Sequence, residues 1–125
     1  PYVDNSYKWA GGGFMSTAED LAHFGQTMLE GRLLKPETVR LFWTSQHLRD
    51  GTETGYGIGW SVSTDSAGRR RVSHNGGAMG GTATLQVYPD QNLIIAMVVN
   101  TDRTFIGIAP RVAGLFLDRR AGASR

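Results

Sequence analysis

The chemistry open to this chain centres on one histidine and the glycines that follow it. In Ser73-His74-Asn75-Gly76-Gly77-Ala78-Met79-Gly80-Gly81 an imidazole closes an expected strand, and the backbone beyond it is nearly bare of side chains. A strand edge of that kind lets a substrate lie against the main chain, where exposed N–H groups can hold a developing oxyanion. The plain alternative is a Gly-rich hairpin connection that binds nothing.

Other constellations are weaker. Gly76-x-x-x-x-Gly81-Thr82 has the glycine spacing of a phosphate-binding loop, but it lacks the lysine and lies between strands instead of opening a helix. His23, His47 and His74 fall in an expected helix, loop and strand end, with no H-E-x-x-H pair or close carboxylate cluster, so neither a metal nor a cofactor is expected. Ser73, His74 and Asp102 supply the residue types of a Ser-His-Asp triad. Sequence neighbours on a strand point to opposite faces, however, so His74 cannot position Ser73. No G-x-S-x-G elbow occurs either.

The 125 residues, 40% hydrophobic and 19% charged, make one domain or part of one. Net charge is only +2, and the excess sits in Arg69-Arg70-Arg71 and in Arg119, Arg120 and Arg125. No aromatic residues interleave with these arginines, so they read as a solvated hairpin edge and nucleic acid is not an expected partner. With no cysteine, disulfides, thiolate metal sites and a cysteine nucleophile are excluded. That fits either side of a bacterial inner membrane, and localisation stays open between cytoplasm and periplasm or secretion. The longest uninterrupted apolar run, Leu93 to Val99, is far short of a membrane span. The chain begins at Pro1, not Met, and the true N-terminus is expected upstream.

The elements that must position His74 form an α+β sequence, helices first and strands after. Ser16-Thr17-Ala18-Glu19 fits a capping box; Leu21, Phe24, Met28 and Leu29 give the helix an apolar face, and Gly31 is placed to end it. Pro36 opens a second short helix with Val39, Phe42 and Trp43 inward. The period then shifts from about 3.6 to about 2 residues. Tyr56, Ile58, Trp60 and Val62 alternate with Gly57, Gly59, Ser61 and Ser63 as a half-buried strand. After a turn at Asp65–Gly68, strands are expected at 70–74, 82–88 and 93–100, the last apolar on both faces and so central. A final helix runs to about Arg119 with Ile108, Val112, Leu115 and Phe116 toward the sheet, and Pro110 marks a kink or a later start. The expected organisation is a helical segment over 1–50, an antiparallel sheet of about four strands plus a C-terminal helix over 51–119, and a frayed tail over 120–125.

Several segments together resemble one family. Trp9-Ala10-Gly11-Gly12-Gly13-Phe14-Met15-Ser16-Thr17, followed by Asp20-Leu21-x-x-Phe24, resembles a segment of class C β-lactamase-like proteins. Leu34-Lys35-Pro36-Glu37-Thr38-Val39 resembles the helix after it, and Tyr56-Gly57-Ile58-Gly59-Trp60 a following Y-G-L-G-W strand. His74-Asn75-Gly76-Gly77 is similar to the third active-site motif, K-T-G in the lactamases and H-x-G in esterase and peptidase relatives. The likeness runs in order over nearly all of residues 9–117. It implies a partial β-lactamase/transpeptidase-like fold whose antiparallel sheet lines the active site. It also implies a serine hydrolase, related to penicillin-binding proteins, that acts on a small-molecule ester, amide or β-lactam through an acyl-enzyme.

Carried over residue by residue, the resemblance places His74 where the motif has lysine, with an electrostatic role in polarising the site, moving a proton or holding a substrate carboxylate. Asn75 takes the place of the threonine that contacts the substrate's acid group, and Gly76 that of the glycine allowing close approach. The N–H of Gly77 takes the place of the second oxyanion donor. Two motifs have no counterpart. No serine is followed three residues on by lysine, and the nearest approach to Y-x-N is Tyr2-Val3-Asp4. Acyl transfer needs an activated nucleophile and its base, so the nucleophile is expected upstream and the 125 residues alone are expected to be inactive. Surfaces normally covered by the N-terminal half are expected to favour self-association. A non-catalytic binding or scaffold module derived from the same fold is the alternative.

Overall fold

The computed structural model describes residue 4, residues 6–101 and residues 106–123. The Asp102-Arg103-Thr104 connection, Tyr2-Val3 and the last two residues of the tail lie outside them. The first helix, α1 (Ala18–Leu29), is capped by Thr17, whose hydroxyl accepts the N–H of Asp20 at 3.1 Å. The cap thus sits one residue later than the expected box on Ser16 and Glu19. Ser16 instead turns its hydroxyl to the Thr17 carbonyl, and Asp20 supplies the acid beside the cap. Glu19 and Asp20 both lie in the first turn, where negative charge suits the helix dipole. At the other end Gly31 adopts a φ of +66° as expected. The N–H of Gly31 bonds Met28 O and that of Arg32 bonds Thr27 O, satisfying carbonyls the helix leaves free. The second helix, α2 (Pro36–Phe42), starts on Pro36 and buries Val39 and the following Trp43.

Four strands, β1 (Ser61–Thr64), β2 (Arg70–Ala78), β3 (Gly81–Tyr88) and β4 (Leu93–Val99), form one antiparallel sheet in the order β1-β2-β3-β4. Period-two alternation sends their side chains to two cores. On one face Val72, Leu85 and Val87 pack with Met28, Val39, Trp43 and Trp60; on the other Tyr88 and Ile95 pack under the last helix, α3 (Ala109–Ala123). Val72 and Val87 are fully enclosed, each contributing about 1.5–3 kcal/mol of burial.

Three expectations are corrected here. The alternation Tyr56–Val62 is not one strand: Gly55 and Gly59 take φ of +66° and +76°, which folds the segment back, and only Ser61–Thr64 joins the sheet. Among the described strands β4 is an edge, not the centre. Its two apolar faces are explained by helices on both sides, with Ile94 and Ala96 in one core and Leu93 and Met97 in the other. β3 is the strand buried throughout from Thr84 to Tyr88. In α3, finally, Ala109, Ala113 and Leu117 face inward with Val112 packed beside them as expected, whereas Leu115 and Phe116, and Ile108 just before the helix, are exposed. Pro110 falls in the first turn, so the helix begins at Ala109 and that start sets its phase. Its backbone continues to Ala123, into the stretch expected to fray. Among the described residues no helix is long and apolar enough to cross a membrane.

The β1–β2 turn is held by Asp65, whose carboxylate accepts the N–H groups of Ala67 and Arg69 and the Arg69 guanidinium at 2.7 Å. Burial by itself raises the Asp65 pKa, but these donors outweigh it and hold the group below its ordinary 3.8. A carboxyl lowered in the fold binds fewer protons there than in the unfolded chain. Its contribution is therefore present above the ordinary value and is lost as pH falls below it, through the lowered folded value. Urea midpoints of wild type and Asp65→Asn are expected to converge on acidification across this window. Equal acid slopes in the two proteins would show that the turn does not depend on the ionised carboxylate.

Candidate active-site edge

The segment before β1 doubles back. Gly57 N–H bonds Trp60 O at 2.7 Å and Val62 N–H bonds Gly55 O at 2.7 Å, placing Tyr56 opposite Ser61. Trp60 and Val62 use their groups on that side, so Ser61 between them directs its own N–H and C=O the other way, to Ser73 of β2. Backbone direction alternates with period two, and Asn75 and Gly77 therefore aim theirs to the same side as Ser73. The β1 ladder ends at Ser61↔Ser73, so among the described residues Asn75 and Gly77 meet no strand on that side. His74 and Gly76 turn inward instead, paired with Leu85 and Ala83 of β3.

The strand expected to close at His74 instead runs on to Ala78, and the four residues singled out in the sequence lie along its exposed second half. A Cβ built on Gly76 or Gly77 would meet nothing within 4 Å, so the space above both is open. His74 projects on the face that carries Val72 and is exposed. Its Nε2 lies 2.9 Å from the Tyr56 hydroxyl, with the rings edge-on at 68° and centroids 6.2 Å apart. Tyr56 was not among the sequence candidates. The signal for it was the hairpin register: a turn at Asp65–Gly68 pairs Ser61 with Ser73, and a fold-back before Ser61 then sets Tyr56 beside His74.

A connected loop fixes Tyr56. Its N–H bonds Thr54 Oγ1 at 3.1 Å, its carbonyl accepts Gln46 N–H at 2.8 Å, and Ile58 N–H bonds Phe42 O at 3.0 Å at the end of α2. Of the other histidines, His47 lies 3.6 Å from exposed Glu53, and His23 is exposed on α1. Among the described residues no group of three or more His, Asp or Glu is arranged to hold a metal ion.

The four-stranded antiparallel sheet with helices on both faces is a β-lactamase/penicillin-binding-protein-like, hydrolase-like fold. A family model described as Beta-lactamase matches residues 1–113, and the chain belongs to that family. It is 39% identical over 116 residues to the mitochondrial serine β-lactamase-like protein LACTB of Bos taurus, and equally to that of Homo sapiens. Each alignment covers 73% of this chain but 21% of the relative, so the chain spans about a fifth of the curated proteins it matches. A penicillin-binding protein homologue from Pyrococcus abyssi, described as octameric, shares the fold with a TM-score of 0.71 at 22% identity, covering 82% of this chain and 24% of that one. A D-stereospecific amidohydrolase from Streptomyces sp. matches with a TM-score of 0.57 at 28% identity, covering 70% and 26%.

Proposed function

We propose that these residues form one wall of a serine hydrolase active site that processes an ester, amide or β-lactam through an acyl-enzyme. The observation that carries this reading is the outward-facing N–H of Gly77, on an edge where no described residue supplies a strand partner or a side chain above it. A donor so placed can meet an oxyanion without prior reorganisation, which is where such sites gain most. Gly76 leaves room for substrate, Asn75 offers an amide beside it, and His74 polarises the bound group. The serine and its base come from a part of the whole protein outside these 125 residues, since no S-x-x-K occurs among them.

Assayed with nitrocefin and p-nitrophenyl esters, the 125-residue chain is expected to show no turnover. A longer chain with S-x-x-K and Y-x-N upstream is expected to hydrolyse at least one of them, and His74→Ala to lower that rate by about 10²-fold or more, as loss of one electrostatic donor does. Turnover by the short chain that disappears in Ser73→Ala would overturn the upstream nucleophile. Undiminished turnover by His74→Ala in the longer chain would take His74 out of the reaction, and no turnover by the longer chain itself would favour the binding-module alternative. In the short chain, the open edge of β4 and exposed Leu115 and Phe116 are expected to drive self-association. Elution as a 13.6 kDa monomer would count against that.

A further inference from the structure

We infer that Tyr56 is a positioning residue for His74: its hydroxyl donates to Nε2 and holds the neutral ring as the Nδ1–H tautomer, which offers substrate a hydrogen-bond donor and not a base. The role assigned to the donor rests on the hydrolase reading above; the tautomer itself does not. Among the described residues the two side chains make their polar contact with each other, at 2.9 Å, inside the ordinary hydrogen-bond range. One of the two must donate. A phenolic hydroxyl gives its proton readily, while its oxygen, conjugated with the ring, is the poorer acceptor. The unprotonated imidazole nitrogen is the strong acceptor of the pair. Donation from Tyr56 to Nε2 leaves the imidazole proton on Nδ1, because the bond made by one ring nitrogen decides the state of the other.

Such a bond sets a tautomer best where the backbone that carries the hydroxyl is held, and here it is. The Tyr56 backbone is tied to Thr54 and Gln46, and its neighbour Gly57 is bonded to Trp60 and packed against the end of α2. With Nε2 engaged, Nδ1 is the nitrogen left for a ligand. It presents an N–H, so it selects a group with an acceptor oxygen there: a carbonyl or carboxylate on the same substrate that reaches the Gly77 N–H. His74 in this arrangement steers and polarises, and proton abstraction falls to another group.

The test is long-range proton–nitrogen NMR on the chain with ¹⁵N-labelled histidine, in a pH series taken up until the ring signals stop moving and the rings are neutral. His74, assigned by its loss in His74→Ala, is expected to show a pyrrole-type Nδ1 and a pyridine-type Nε2. Exposed His23 supplies the reference for an unconstrained ring. Tyr56→Phe keeps the aromatic edge contact and removes only the hydroxyl. It is expected to shift His74 from a dominant Nδ1–H form to the tautomer mixture of His23. A contact that served packing alone would leave the pattern unchanged in that variant. An Nε2–H form in wild type, or identical patterns in wild type and Tyr56→Phe, would overturn the inference. No substrate is involved, so that failure would leave the hydrolase reading intact, and an inactive longer chain would leave the tautomer result standing.

Discussion

Gly57→Ala is expected to cost the fold about 3 kcal/mol or more, near the upper end of what overpacking does. A methyl group there would lie 2.1 Å from Phe42 O and 3.0 Å from Thr44 O. Both are backbone atoms at the end of α2, with no rotamer to yield, and Gly57 is itself buried. The constraint is close approach and not backbone conformation, since Gly57 is not among the positive-φ glycines. Gly59, two residues on, is the complement: its φ is +76° and a Cβ would meet nothing within 4 Å. Gly59→Ala is expected to cost only the left-handed penalty, about 1–2 kcal/mol. Urea midpoints followed by tryptophan fluorescence separate the two. Equal costs would mean that the loop can lift away from α2 without penalty.

The same two glycines show why part of the fold was legible in the sequence and part was not. Local signals with a short physical reach were read correctly: Gly31 as a left-handed terminator, Pro36 as a helix start, the turns at Asp65–Gly68 and Pro89–Asn92. The alternation from Tyr56 to Val62 misled, because glycines every second residue look like a smooth strand face. Here one glycine permits contact with α2 and two others reverse the chain, and neither requirement leaves a mark on hydrophobic period. β4 misled for a different reason. An all-apolar strand reports that both faces are covered, and helices on the two faces do that for an edge strand as well as for a central one. In α3 the inward positions are two alanines and a leucine, so the larger Leu115 and Phe116 pointed to the wrong stripe. The candidate segment His74–Gly77 stood out by residue type, an imidazole followed by a run of glycines. Tyr56 did not, since its role depends on a contact across 18 residues.

Trp60→Ala is expected to cost about 3–5 kcal/mol, as large aromatic truncations in cores do. Trp60 is 5% exposed and joins three elements. It stacks on Phe24 of α1 at 6.3 Å and 10°, and meets Trp43 beyond α2 edge-on at 5.8 Å and 76°. Its carbonyl meanwhile accepts the Gly57 N–H that closes the turn-back carrying Tyr56. The side chain anchors in the core the same short segment whose backbone presents Tyr56 to His74. Loss of the indole is therefore expected to loosen the Tyr56–His74 bond even in molecules that remain folded. Two readouts follow from one substitution: the urea midpoint falls, and the His74 ring shifts toward the tautomer mixture of His23. Leu115→Ala, at a site 66% exposed on α3, is the control and is expected to stay within about 0.5 kcal/mol with the tautomer unchanged. If Trp60→Ala lowers stability yet leaves the His74 tautomer untouched, the loop bonds at Thr54 and Gln46 suffice to hold Tyr56, and the core does not reach the site through Trp60.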